Sequence, residues 1–341
     1  MEKRVKYLDL IKFFAIYCVL LGHAMQFIGK NFWSNPVWEF IYSFHLPLFM
    51  IISGYFFSSS LQLSFGSFLR KKTAQLILPP LVWYFILCLL YCFINPFINE
   101  KTALKFSVHG LISSFWFLKS LFGCYLIVFL SMKLIKNQLA ACLITCIALC
   151  LIPFGDLLSI NFLLPFFWIG FFFQKYRVSV EKKALFLWKG CLVLFALSLI
   201  FWNGNYTIYN NPIELLSFSP FHFAFDCFQV MLFRFFIGLV GSFFFIFSIQ
   251  MLYKRSENNK LVDICCVMGK YTLGIYLLQM VLFERLFFAL ALYLDFLPVL
   301  ALTFVILGIC LWGIKMIERN KYTQLFLLGS LRKNESYFGY K

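Results

Sequence analysis

Four groups of side chains in this chain have the types and spacing to do chemistry. The first lies in Tyr7-Leu8-Asp9-Leu10-Ile11-Lys12, which opens an apolar stretch running on to Gly22-His23-Ala24. Lys12 and His23 stand 11 residues apart, close to three turns of about 3.6 residues, so on a helix they share a face and lie roughly 16 Å from one another. Asp9, one turn before Lys12, can pair with it. A neutral imidazole near pH 7 takes a proton from a hydroxyl or thiol, and the cation on its stripe lies where a polyanionic cosubstrate would arrive. The same residues also admit a purely structural role, with Lys12 reaching for the interface beside Asp9 and His23 bridging helices.

The second group is Ser43-Phe44-His45-Leu46-Pro47, where His45 is either a further polar site residue or the anchor of a kink at Pro47. Glu39, near the outer end of that stretch, is a candidate partner for His23 or for a sugar hydroxyl. The third is the cationic run Arg70-Lys71-Lys72, which serves either as a phosphate receptor or as an ordinary cytoplasmic loop. The fourth is Arg234 with Glu284, expected as an interhelical pair because an uncompensated charge at membrane depth costs about 2.5–3.5 kcal/mol.

These groups have to be positioned by helices in lipid. Of 341 residues, 62% are hydrophobic and 13% charged, against roughly a quarter charged in a soluble domain. Windows of about 20 apolar residues predict ten spans, near 10–28, 37–57, 76–95, 115–132, 138–154, 157–173, 185–202, 228–249, 271–294 and 297–316. The basic start, Met1 to Lys6, has the look of a signal-peptide n-region. Lys12 and His23 in the following stretch, with no small-residue cleavage pattern, predict that it stays as the first helix.

The net charge of +16 tests this layout. On the ten-span reading, 21 of the 30 Lys and Arg fall on one side and 3 on the other, with 6 in or at the edges of spans. That places both termini in the cytoplasm. Positive charge spread over one membrane face, rather than gathered into an aromatic-interleaved patch, argues against a nucleic-acid partner. Most of the 12 Cys sit inside apolar stretches, and Cys265 and Cys266 fall in a cytoplasmic connection, so neither a disulfide nor a metal site is expected. Of the two long outer connections, near 96–114 and 203–227, the second has no Lys or Arg and a polar, aromatic character suited to a sugar.

The segments quoted above resemble the membrane-bound acyltransferase family 3, particularly its sugar O-acetylating members. In those, a basic residue, ten intervening residues and a His mark the first helix, and Phe-His-hydrophobic-Pro-Leu-Phe followed by Ser-Gly-Tyr marks the second. Here these read Lys12 with His23, then Phe44-His45-Leu46-Pro47-Leu48-Phe49 and Ser53-Gly54-Tyr55. The likeness continues through Leu78-Pro79-Pro80, Trp116-Phe117-Leu118, Ile169-Gly170-Phe171, Arg234 with Gly238 and Gly241-Ser242, and Gly274-Ile275-Tyr276-Leu277-Leu278. Lys12 replaces the usual Arg, keeping charge and losing bidentate geometry. Gln279 stands where many relatives have His and receives no catalytic role.

The resemblance implies an all-α integral membrane protein of about ten helices forming one domain over residues 1–341. It implies an O-acyltransferase in which His23 is the catalytic His, while Lys12, Arg70, Lys71 and Lys72 hold an acyl-CoA donor. Asp9, Glu39, His45, Trp116, Arg234, Tyr276 and Glu284 are candidate supporting residues. The expected reaction takes acetyl from cytoplasmic acetyl-CoA to hydroxyls of a cell-surface glycan or its lipid-linked precursor, in a bacterial plasma membrane and without a metal. The rival reading is a transporter or flippase for a glycan or small anion, with Lys12 and His23 lining the path.

Overall fold

The computed structural model describes residues 5–94, 110–111, 114–151, 158–209, 216–218, 221–256, 259–283 and 293–330. Fourteen α-helices are present among them. They are α1 (Lys6–Ile28), α2 (Pro36–Tyr55), α3 (Phe65–Leu76), α4 (Leu78–Ile94), α5 (Trp116–Leu134), α6 (Gln138–Leu151), α7 (Ile160–Lys175), α8 (Arg177–Lys182), α9 (Ala184–Phe201), α10 (Phe225–Arg255), α11 (Lys260–Met268), α12 (Thr272–Val281), α13 (Phe296–Ile317) and α14 (Lys321–Leu328).

Among the described residues eight stretches are long and apolar enough to cross a membrane. Two further apolar helices, α6 and α7, have 14 and 16 residues, fewer than the roughly 20 that a bilayer core requires. Each of the ten expected spans overlaps a helix, and two are shifted. The third crossing stretch begins at Phe65, because α3 runs into α4 with only Ile77 between them. Arg70-Lys71-Lys72 therefore lies on a helix rather than in a loop. The ninth runs Lys260–Val281, earlier than predicted, and Glu284 and Arg285 lie outside the described residues. The connection after α9 carries a hairpin of two three-residue antiparallel strands, β1 (Leu216–Phe218) and β2 (Phe221–Phe223), so the helical bundle has one small β element.

Local chemistry explains several boundaries. Pro36 begins α2, where its missing N–H is no loss, and Asn35 Oδ1 caps that end by accepting from Val37 N–H at 2.9 Å. Pro79 and Pro80 fall in the first turn of α4 for the same reason. Phe186, Ile200 and Phe201 of α9 are exposed on the outside of the bundle, an apolar surface suited to lipid contact.

The first helix is central. It packs against α2, α10, α11, α12 and α13, and Ile11, Ala15, Leu20, Ala24 and Ile28 along it have no exposed surface. The second helix lies on α7, where the contact is backbone to backbone. A Cβ on Gly54 would overlap the carbonyl oxygen of Phe167, and one on Gly170 would overlap that of Ile51. This is the small-residue mode of helix association in membranes, and it gives the Ser-Gly-Tyr and Ile-Gly-Phe segments a shared physical reason.

Candidate functional site

A cavity of about 870 Å³ runs along the bundle, within the roughly 300–1,000 Å³ typical of small-molecule sites. The first helix contributes Ile16, Val19 and His23, and α2 contributes His45, Phe49 and Ser53. Both sets repeat at three- and four-residue spacing, so each is one helical stripe. From His45 to Ser53 the stripe climbs about 12 Å at roughly 1.5 Å per residue. One end of the cavity thus holds the two imidazoles with Trp116, Tyr209 and Tyr276. The other holds Arg70, Lys71 and Lys72 of α3 together with Lys270.

The imidazoles are held differently. His45 Nδ1 lies 2.8 Å from the carbonyl oxygen of Ile41, which only accepts, so Nδ1 donates and the lone pair is left on Nε2. His45 therefore both bonds its own helix backbone and lines the cavity. The Tyr42 ring stands edge-on to it at 4.6 Å between centroids, and the Tyr42 hydroxyl donates to Gln26 Oε1 at 3.1 Å. His23 Nδ1 instead meets the side-chain amide of Gln279, from α12, at 3.1 Å. Glu39, the partner expected from sequence, is engaged elsewhere. Its Oε1 accepts the Gly204 N–H at 2.7 Å, and its backbone carbonyl accepts from Trp202 Nε1 at 2.8 Å.

Trp116 follows a buried Phe115 whose φ is 52°, a left-handed conformation that costs a bulky residue on the order of 1–3 kcal/mol. The strain turns the chain into α5 and sets Trp116 and Phe117 on the cavity wall. Tyr276 packs its ring against those of Phe115 and Phe117 at 6.3 and 6.2 Å.

At the cationic end Arg70 and Lys71 are exposed while Lys72 is buried, its ammonium 3.5 Å from the centre of the Tyr125 ring, a cation–π contact. The wall there is completed by α14. Trp83 Nε1 donates to the Leu327 carbonyl at 3.0 Å. Gly329 caps the helix with φ 64°, seated against the backbone of Ala74 and Gln75, a conformation and an approach that favour glycine. Glu318, Leu328, Gly329 and Ser330 all face the cavity.

Besides Glu39, three described sequence candidates are not among the lining residues. Lys12 continues the α1 stripe one turn beyond Ile16, but its ammonium lies 3.5 Å from Asp9 and 4.0 Å from the centre of the Phe56 ring. Asp9 is buried beside it. Arg234 is buried in α10 and donates to the carbonyls of Tyr206 at 2.5 Å and Thr207 at 3.1 Å. Its expected partner Glu284 lies outside the described residues.

Sequence reading gave Gln279 no catalytic role and passed over Tyr209, Lys270 and the α14 wall. For Gln279 the available signal was a neutral amide inside an apolar helix, three residues after Tyr276. Eleven cysteines are free, and among the described residues no group of three His, Cys, Asp or Glu is placed to hold a metal ion.

Comparison with known proteins matches residues 5–315 to the family model described as an acyltransferase domain, of the acyltransferase 3 type. The chain is similar to the nodulation protein NolL of Sinorhizobium fredii, 29% identical over 219 residues, and to that of Mesorhizobium japonicum, 28% identical over 220 residues. Each match covers 60% of this chain, and 59% and 58% of those relatives, so the chain spans less than two thirds of their length. No solved structure matches it.

Proposed function

Since the chain belongs to the acyltransferase 3 family, we propose that it is a multi-pass membrane O-acetyltransferase carrying acetyl from cytoplasmic acetyl-CoA to hydroxyls of a cell-surface glycan or its lipid-linked precursor. The observation that supports this best is one cavity with cations at one end and imidazoles at the other. A phosphate-rich donor suits the first, and an uncharged hydroxyl acceptor the second.

In this reading Arg70, Lys71 and Lys72 hold the CoA phosphates, with Lys270 beside them. His23 Nε2 takes the proton of the acceptor hydroxyl as its oxygen bonds to the thioester carbonyl carbon. The carbon–sulfur bond then breaks, and the imidazolium returns the proton to the CoA thiolate. His45 and Tyr276 shape the acetyl end. Lys12, engaged by Asp9 and Phe56, is assigned to holding the foot of α1 rather than the donor. In this reading both termini and the α3 cations face the cytoplasm of a bacterial plasma membrane, an orientation that the excess of basic residues assigned to that side supports.

The test is release of free CoA from labelled acetyl-CoA by purified protein, with and without candidate surface glycans. Acceptor-dependent release that His23→Ala abolishes at normal expression supports the assignment. Substantial transfer by His23→Ala removes His23 from the mechanism, and no release with any glycan removes the enzymatic reading.

A further inference from the structure

Gln279 is completely buried in α12, and its amide is the described hydrogen-bond partner of His23. An amide can meet a ring nitrogen in two ways. With its nitrogen toward the ring, Nδ1 accepts and the ring proton sits on Nε2. With its oxygen toward the ring, Nδ1 donates and Nε2 keeps its lone pair. The two differ by a half-turn of the amide and fill the same space. In the structure the nitrogen faces His23, and the buried Oε1 has no hydrogen-bond partner.

Catalysis separates the two orientations. A base that receives a proton on Nε2 becomes an imidazolium with N–H groups at both positions. An amide nitrogen facing Nδ1 would then oppose donor to donor, whereas an amide oxygen accepts from Nδ1–H in the neutral and protonated states alike. His45 already shows this arrangement, its Nδ1 on the oxygen of Ile41. The orientation in the structure leaves the buried Oε1 without a partner, a cost that an apolar side chain of similar size would not carry.

We propose that Gln279 is the positioning residue for His23, presenting its amide oxygen to Nδ1–H and thereby keeping Nε2 unprotonated toward the cavity. This rests on the base role given to His23 above. Gln279 touches the imidazole rather than the substrates, so its effect belongs in kcat and not in donor affinity.

The experiment uses the full chain in lipid nanodiscs with ring-15N histidine, the His23 signals assigned by their loss in His23→Ala. The expected spectrum has Nδ1 protonated and Nε2 bare at neutral pH, and a protonated Nε2 in the neutral ring overturns the proposal. Gln279→Leu should stay folded, lose kcat by about tenfold or more against the roughly 100- to 10,000-fold worth of a general base, keep its KM for acetyl-CoA, and shift the tautomer signal. Gln279→Glu, whose oxygens only accept when the carboxyl is ionised, should at a pH that ionises it retain the Nδ1–H signal and most of the turnover. An unchanged tautomer and unchanged kcat in Gln279→Leu also overturns the proposal. Should His23→Ala remain active, the base role fails, while the wild-type spectrum still reads the Gln279 contact by itself.

Discussion

Glu39 on α2 and Arg234 on α10 grip the same short turn. The Glu39 carboxylate accepts the Gly204 N–H at 2.7 Å, and the Arg234 guanidinium donates to the carbonyls of Tyr206 and Thr207 at 2.5 and 3.1 Å. Two residues later Tyr209 reaches the cavity, its ring 5.8 Å from that of Tyr42. Two charges that sequence reading offered to the reaction thus fix the loop that roofs its imidazole end.

Loosening this grip should affect the acceptor rather than the donor. Arg234→Leu removes hydrogen bonds from a charged group, each worth about 1.5–3 kcal/mol. It should lower the unfolding temperature, speed proteolytic cleavage near residues 203–209, and raise KM for the glycan while KM for acetyl-CoA holds. Glu39→Gln keeps an oxygen for Gly204 and should be milder. Cleavage and KM values like wild type in Arg234→Leu would remove the turn from the acceptor site.

The cations divide in the same way. Arg70→Ala and Lys71→Ala should each raise KM for acetyl-CoA roughly tenfold to hundredfold if that constant tracks binding, since one charged hydrogen bond is worth about 1.5–3 kcal/mol. Added salt should shrink both effects, because these side chains are exposed. Lys12→Ala should instead lower stability by removing the cation that pairs with buried Asp9, with KM for the donor within about threefold of wild type. A donor KM that rises as steeply in Lys12→Ala as in Lys71→Ala would return Lys12 to the donor site.

The crossing of α2 on α7 leaves no room for a methyl group. Gly54→Ala or Gly170→Ala must push the helices apart, and overpacking of this kind costs typically about 1–3 kcal/mol. Detergent-solubilised variants should melt several degrees below wild type and lose activity together with stability. Wild-type melting in both would show that the helices separate freely.

Sidedness is tested by reporter fusions after Lys341 and after Tyr209, which should report opposite compartments. A shared compartment would sink the cytoplasmic placement of the α3 cations.

Legibility in the sequence followed the range of the forces involved. Hydropathy is local, so ten apolar stretches could be read directly, and each overlaps a helix. Imidazoles at membrane depth announce themselves by their cost in lipid, which is why His23 and His45 stood out before any coordinates and both line the cavity. The partners did not. Gln279 reaches His23 across 256 positions, and Glu39 and Arg234 bond backbone N–H and C=O groups, which every residue carries and no pattern marks. Lys72 follows two exposed cations, and nothing in the triplet says which of the three turns inward. The third crossing stretch began early because Arg70, Lys71 and Lys72 depress hydropathy without breaking the helix.

The similarity to the family ends at residue 315, yet the cavity wall continues through Glu318 to Ser330 on the far side of α14. The matched region and the cavity wall therefore have different boundaries. Relatives sharing the whole of the matched region can still differ in the panel that closes the cationic mouth. On the donor placement proposed above, a change in this short segment would alter the mouth that admits the acyl thioester without touching the imidazole end. A chimaera that joins one member's matched region to another's tail exchanges that panel alone.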